Sequence, residues 1–506
     1  MTSPYHAAAR EKRAADRDSD ERNANSGRVP RGSSSSRGPQ QLPLHSVPIG
    51  TEGHGQHPNH HHRHRHHPPA PKSWFPVREE GESGRSGIHP WHFLRIVFRS
   101  SSLASRIVNV LWPVVPAAIA LRHAAPEQDL AIFILAYIAM VPCANLVGFA
   151  GQNLAKKVPH VFGVLAETTF GSLVEIILFI VLIKQYDPTS VVDTTQVIRA
   201  AILGSILATM LLCLGFCFIA AGFKREETHF SEIISEAGTG LLLTAGFGLA
   251  VPTAFYNALY GRYDTDELKR KTLEISRSTA VLLIIAYLVY VFFQMRTHHG
   301  IYDAIFEADA ERDDDKHKEL RSHRLTLFES VIGLAVGVTL VTIISIMLVQ
   351  KIHFLVEKRH VSDAFLGLIM IPLVEKAAEH LTAVDEAYDN QMNIALSTVL
   401  GSTLQTALFN GPLAVIIGWG IDDKLPMGFN FELFDLVMLI LAILTVGNFL
   451  RDQKSNYLEG VLCVIVYVAI GVAAAHYPNP HELHEAFPMP NASPAPTTSG
   501  SEGAHH

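Results

Sequence analysis

The chain has 506 residues, of which 48% are hydrophobic and 18% are charged, and its formal net charge is −7. Mean hydropathy is +0.20 although both ends are very polar, so the middle must be far more apolar than this average. Such segregation excludes a soluble enzyme, which would spread its charges more evenly, and predicts a polytopic membrane protein.

The N-terminal segment, residues 1–90, is rich in Arg, Ser, Gly, Pro and His and has no hydrophobic periodicity, which predicts a disordered tail. It has no apolar stretch of the signal-peptide type, so we expect the first membrane helix to direct insertion. The histidine-rich run at 54–72 suits Zn²⁺ or Ni²⁺, but a low-complexity tail that binds metal only adventitiously is the simpler interpretation.

Eleven apolar runs follow, each near the roughly 20 residues that cross a bilayer as an α-helix. They lie at 103–121, 127–150, 161–184, 197–222, 238–260, 278–296, 325–350, 363–388, 393–420, 429–450 and 456–476. The sequence therefore predicts an all-α membrane protein of about eleven transmembrane helices. An extra first helix lies in 100–122, five helices lie in each of 127–296 and 325–476, and a disordered tail follows at 477–506.

An acidic linker at 297–324 separates the two sets of five helices. Its run EADAERDDDKHKE predicts a solvated helix or loop, with a Ca²⁺-sensing role as the alternative. Most basic loops place the N-terminal tail in the cytosol by the positive-inside rule, whereas those at 269–271 and 358–359 oppose it.

The two halves of the membrane region carry matching segments. FGSLVEII (170–177) and ILGSILATML (202–211) correspond to VEKAAEHL (374–381) and VLGSTLQTAL (399–408). In each half a glutamate lies inside an apolar helix, and the next helix carries L-G-S-x-L-x-T, which implies duplication. Two successive units of five helices must have opposite orientations, which is the inverted-repeat plan of secondary transporters with an ion site near the midplane.

The matching glutamates are Glu175 and Glu379. A carboxylate at the centre of a membrane helix costs roughly 2.5–3.5 kcal/mol, so it marks a functional site by default. Its hard oxygens suit Ca²⁺, and binding a proton or a cation in turn is what antiport requires. A structural pair that joins two helices by hydrogen bonds is the alternative. His380, beside Glu379, is a candidate for proton relay or for simple hydrogen bonding.

Three polar side chains on the following helices are candidates to complete a coordination shell: Ser205, Ser402 and Gln405. Packing roles for the serines are equally compatible with the sequence. Gly204 and Gly401, which precede the two serines, are expected to allow close approach of neighbouring helices.

These segments resemble the Ca²⁺/cation–proton exchanger (CAX) family, particularly the fungal vacuolar exchangers, from about residue 100 to 478. The resemblance is carried by LAETTFGSLVEI, LIMIPLVEKAAEHLTAV, VLGSTLQTALFNGPLAVIIGW and MGFNFELFDL, among other segments. It implies an inverted 5+5 repeat in a multi-pass protein of the vacuolar membrane. It also implies that this protein uses the proton gradient to load Ca²⁺ into vacuoles. It also implies that Glu175 and Glu379 are the central ion ligands, with Ca²⁺ as substrate and no cofactor.

The chain departs from the family pattern G-N-x-x-E in both repeats. Ser172 replaces the amide ligand in the first repeat, and Glu375 and Lys376 replace Gly and Asn in the second. Lys376 lies three residues before Glu379 on the same helical face, so its ammonium could stand where Ca²⁺ would bind. Glu375 lies four residues before Glu379 and could offset that charge or add a ligand.

Two hypotheses follow for the departures. Either Lys376 pairs with Glu375 or turns aside and transport survives with altered selectivity, or the site is blocked and transport is weak or lost.

A monovalent-cation or Mn²⁺/H⁺ exchanger on the same scaffold is one alternative function, and a transport-deficient paralogue acting as a membrane scaffold or sensor is another. No nucleophile–base set, phosphate loop or nucleic-acid-binding fold is recognisable, and the sequence leaves the oligomeric state open.

Overall fold

The fold is that of a computed structural model, which describes residues 89–99, 103–155, 157, 169–188, 190, 192–313, 324–423 and 425–478. The histidine-rich run and nearly all of both predicted tails lie outside the described residues. So do residues 161–168 of the predicted third span and residues 314–323 of the acidic linker.

The described chain is almost entirely helical, with one two-stranded antiparallel ribbon. In chain order its elements are α1 (Pro90–Arg99), α2 (Leu103–Val108), α3 (Val114–Ala124), α4 (Asp129–Ala155), α5 (Leu173–Lys184), α6 (Thr194–Gly222), β1 (Thr228–His229), α7 (Glu232–Leu259), α8 (Thr265–Thr297), α9 (His299–Arg312), α10 (Leu327–Gln350), α11 (Ile352–Arg359), α12 (363–375), α13 (Ala377–Tyr388), α14 (Met392–Ile421), α15 (Leu433–Phe449), β2 (Lys454–Ser455) and α16 (Tyr457–Ala475).

Eight helical stretches of the described residues are long and apolar enough to cross a membrane. They are Ser105–Ala124, α4, α6, α7, α8, Leu327–Arg359, α14 and α16, and α15 is apolar but shorter. The predicted all-α membrane fold is thereby confirmed, whereas the number of eleven spans stays a prediction. The most apolar stretch of α6 is 83% buried, against 22% for α8, so α6 forms the centre of the bundle and α8 its periphery.

Helices of the two predicted halves pack against each other rather than forming separate bundles. Extensive contacts pair α4 with α10, α6 with both α12 and α16, and α8 with α14, and in each pair one helix comes from each half. Buried Leu, Ile, Val, Ala and Phe side chains from both halves therefore form one continuous core. Any site at the contact of the halves draws its residues from both.

Wide π-turns interrupt several membrane helices. Two of them, Leu366–Met370 in α12 and Thr406–Asn410 in α14, end shortly before Pro372 and Pro412. Proline lacks an N–H and its ring clashes with the carbonyl four residues earlier, which accounts for the widened turn. A third π-turn, Ala208–Cys213 in α6, follows its L-G-S segment at nearly the same distance as the turn in α14, as duplication predicts.

The single helix predicted at 363–388 is wrong, because the chain breaks at Lys376 into α12 and α13. Lys376 has φ −92° and ψ −2°, and Ser172, directly before α5, has φ −88° and ψ −3°. Both lie in the sparsely populated bridge region of backbone conformation. Equivalent residues of the two repeats thus begin a new helix at equivalent points.

The acidic linker contains a helix, α9. The described part of its acidic run is largely exposed, as predicted, except at Asp309, where the prediction of a solvated side chain is wrong. Asp309 is 1% exposed, and its carboxylate accepts hydrogen bonds from the backbone N–H groups of Asn393 and Ile394 at 2.7 and 3.3 Å. The Asn393 side chain donates a third at 2.9 Å. These N–H groups belong to the start of α14, where they have no partner within the helix, so an aspartate is favoured there.

Candidate cation site

Glu175 and Glu379 each lie in the first turn of a helix that begins inside the bundle. Glu175 is the third residue of α5 and Glu379 the third of α13. The partial positive charge of a helix N-terminus favours a carboxylate in this position. Gly171, just before α5, lies against Glu379, because a Cβ there would come within 3.1 Å of Glu379 Oε1. The structure therefore brings the two predicted glutamates together.

Lys376 stands between the two glutamates. Its ammonium Nζ lies 2.9 Å from Glu175 Oε2 and 3.5 Å from Glu379 Oε2, and the lysine side chain is only 3% exposed. The hypothesis that Lys376 pairs with Glu375 or turns aside is wrong, since its ammonium contacts Glu175 and Glu379 and donates to Ser402 Oγ at 3.4 Å. A carboxylate is a better partner for a buried ammonium than lipid or apolar side chains, which explains this position.

Helix α14 supplies hydrogen-bond donors along one face, from residues spaced four apart. Ser402 Oγ donates to Glu379 Oε2 at 2.6 Å, and Thr406 Oγ1 and Asn410 Nδ2 donate to Glu175 Oε2 at 3.0 and 2.7 Å. Sequence reasoning found Ser402 but missed Thr406 and Asn410. Their spacing of four from Ser402 was the available signal, because residues i, i+4 and i+8 share a helical face.

The other predicted candidates lie around this cluster without contacting both glutamates. Gln405 Nε2 donates to Ser172 Oγ at 2.9 Å, and Ser205 Oγ donates to Glu375 Oε1. The Nε2 atom of buried His380 lies 3.2 Å from Thr209 Oγ1. Ser205 therefore supports Glu375, rather than the pair Glu175 and Glu379.

The glycines of the two L-G-S segments differ in their surroundings. Gly204 packs directly on the backbone of Leu368 in α12, so its missing side chain permits the close approach expected from the sequence. A Cβ at Gly401 would meet nothing within 4 Å, so the same expectation is wrong there. Gly401 instead forms part of a cavity wall.

This cavity, of about 450 Å³, borders the cluster. Its wall includes Glu375, Glu379, Ser402 and Gln405 near the glutamates, and His299 and Asp303 of α9. Glu379 is 23% exposed at the side chain, whereas Glu175 is 1% exposed and is not part of the wall. Glu379 therefore borders the cavity, whereas Glu175 is buried away from it.

The cluster contains three carboxyl groups and one ammonium within a mostly apolar bundle. Fully ionised, Glu175, Glu375, Glu379 and Lys376 carry a net charge of two negative, the complement of one divalent cation. Among the residues that the structure describes, no group of three His, Cys, Asp or Glu side chains is placed to hold a metal ion. The arrangement suits reversible binding of a partly hydrated cation, in competition with protons, rather than a resident metal.

Comparison with known proteins agrees with this architecture. The family model "Sodium/calcium exchanger protein" matches residues 129–296 and 329–474. The chain is 31% identical to a vacuolar calcium ion transporter of Schizosaccharomyces pombe, over 69% of this chain and 79% of that protein. It is 32% identical to a Ca²⁺/H⁺ antiporter of Aphanothece halophytica, over 71% and 93% of the two chains.

Solved structures show the same fold. The native structure of YfkE has a TM-score of 0.58 at 24% identity and covers 72% of this chain and 100% of its own. The H⁺/Ca²⁺ exchanger CAX has a TM-score of 0.51 at 13% identity, with coverage of 74% and 92%. Three findings agree: the matching fold, the helices α5 and α13 that bring Glu175 and Glu379 together, and a family match over most of the membrane region. This chain therefore belongs to the sodium/calcium exchanger protein family.

Proposed function

We propose that this chain is a secondary active antiporter that exchanges Ca²⁺ for H⁺ across the vacuolar membrane. The observation that carries the proposal is the convergence of Glu175 and Glu379, one from each half, on a single cation, which in this structure is the ammonium of Lys376. The cargo and the compartment are inferred from relatives described as vacuolar calcium transporters and Ca²⁺/H⁺ antiporters.

The mechanism follows from the shared carboxylates. A protonated Glu379 cannot bind a cation strongly, and a cation-bound Glu379 cannot hold a proton, so the two ligands exclude each other. Glu379 borders the cavity and is the group that meets both ions first. Alternation of the accessible side then couples the proton gradient to cation movement, as in other inverted-repeat transporters. The proposal has the N-terminal tail on the cytosolic side, because most of the basic loops favour that orientation.

A proton-gradient-driven uptake assay with radioactive calcium in sealed vesicles tests the proposal. The wild-type chain should take up calcium only when a proton gradient is present, and Glu379→Gln should abolish uptake because an amide cannot exchange a proton. Glu274→Gln, at a largely exposed position of α8, is the matched control and should retain uptake. Equal uptake by the wild type and Glu379→Gln would overturn the proposal.

A second candidate is exchange of a monovalent cation for H⁺ on the same scaffold. The observation that favours it is the single positive charge that Lys376 already supplies between Glu175 and Glu379. This charge reduces the attraction for a further divalent ion at that point. Competition of Na⁺, K⁺ and Mn²⁺ with calcium in the same assay separates the two candidates. Proton-coupled Na⁺ or K⁺ movement without calcium uptake would favour the second.

A further inference from the structure

The position between Glu175 and Glu379 is already filled by a cation that belongs to the chain. Lys376 Nζ contacts both carboxylates, and Thr406 and Asn410 bind the same oxygen of Glu175. Glu175 is 1% exposed and is separated from the cavity. A transported ion that bound there would have to displace the lysine from its ionic partners and leave an ammonium without one in an apolar bundle, which is strongly unfavourable.

A different carboxylate is available beside the lysine. Glu375 is 4% exposed and forms part of the cavity wall, as Glu379 does. Its Oε1 accepts from Ser205, whereas its Oε2 is buried and has no hydrogen-bond partner among the residues that the structure describes. Glu375 and Glu379 lie four residues apart, on either side of the break at Lys376, and line the same cavity. An unpartnered buried carboxylate oxygen is costly, and a bound cation would satisfy it.

We infer that the transported cation binds between Glu375 and Glu379 at the inner end of the cavity, displaced from the position that Lys376 occupies. The inference rests on the proposed function. Lys376 and Glu175 then form a fixed internal ion pair, and the two remaining carboxylates carry the two negative charges that a divalent ion requires. The hydroxyl of Ser402, which contacts Glu379, lies beside this subsite, and cavity water supplies the other ligands of a hard cation.

Calcium binding by the purified full-length chain in lipid nanodiscs, measured by titration calorimetry, tests the subsite. Glu375→Gln keeps an oxygen for Ser205 but removes the negative charge, so it should weaken calcium binding by at least about tenfold, as loss of groups around a metal usually does. Glu274→Gln is the exposed control with the same charge change.

A double variant distinguishes the displaced subsite from a site between Glu175 and Glu379. Glu175→Gln with Lys376→Gln removes both charges of the internal ion pair and keeps their volumes. It should retain calcium binding that a further Glu375→Gln still weakens by at least about tenfold, since the two proposed ligands, Glu375 and Glu379, remain in the double variant. Severe loss of binding in the double variant would overturn the inference, and so would wild-type affinity in Glu375→Gln.

The failure of this inference can be told apart from failure of the proposed function. If calcium binding depends on Glu175 and not on Glu375 while proton-driven uptake is present, the proposed subsite is wrong but the antiporter function stands. Absence of proton-driven uptake in the wild type overturns the antiporter, and calcium binding that is insensitive to Glu375→Gln then overturns the subsite as well.

Discussion

The ammonium of Lys376 lies 2.9 Å from Oε2 of Glu175, and this one oxygen also accepts the hydrogen bonds of Thr406 and Asn410. The other oxygen of Glu175 has no partner among the described residues. Three donors on one oxygen fix the carboxylate and its lysine as a unit. The pair joins the start of α5 in one half of the protein to the break before α13 in the other.

Replacement of Lys376 by asparagine, the residue of the family pattern, should destabilise the cation-free protein. The change leaves Glu175 buried without its ionic partner, at a cost of about 3–5 kcal/mol if the carboxylate stays charged. The Tm in detergent should fall without calcium and recover on calcium addition more than in the wild type, because the ion can replace the ammonium. Lys269→Asn, at an exposed position, is the control. An unchanged Tm without calcium would contradict the prediction.

Alanine should destabilise the protein at Gly204 but not at Gly401, although both glycines occupy the same place in the repeat. At Gly204 the new methyl group would press on the Leu368 backbone and force α6 and α12 apart, costing about 1–3 kcal/mol. At Gly401 it would meet open space. The fraction of folded protein after heating, measured by fluorescence-detected size exclusion, should fall only for Gly204→Ala. Equal loss in both variants would argue against this packing.

Two buried serines should respond differently to replacement by alanine. Ser205 donates to Glu375, so Ser205→Ala removes a partner of a buried carboxyl and should destabilise by about 1–3 kcal/mol. Ser345 Oγ is buried without a partner among the described residues, so Ser345→Ala should be neutral or stabilising. Thermal unfolding of the two variants side by side measures the difference. A lower Tm for Ser345→Ala than for Ser205→Ala would be the opposite of what we expect.

Asp309→Asn should loosen the attachment of α9 to α14. The variant loses the charge on the acceptor of the Asn393 and Ile394 N–H groups, and hydrogen bonds to charged groups contribute about 1.5–3 kcal/mol. Hydrogen exchange at the start of α14 should become at least about tenfold faster. Glu311→Gln, exposed on the same helix, is the control. Unaltered exchange in Asp309→Asn would show that the carboxylate does not hold α9 in place.

The sequence predicted the membrane class, the duplication and the convergence of Glu175 and Glu379, because each depends on apolar periodicity or on a repeated motif. It did not predict the break at Lys376, since a lysine within an apolar run gives no local signal for the bridge conformation. The burial of Asp309 was also missed. An acidic run is ordinarily solvated, and only the packing of α9 on the start of α14 brings one of its carboxylates to unpaired N–H groups.

The unequal exposure of Glu379 and Glu175 has a chemical consequence. A water-soluble carbodiimide entering through the cavity would modify Glu379 first, while Glu175 stays protected behind Lys376. In this conformation the cavity therefore exposes one of the two central carboxylates and not the other. Alternating access requires a second conformation, and labelling of the two carboxyls in the opposite order would identify it.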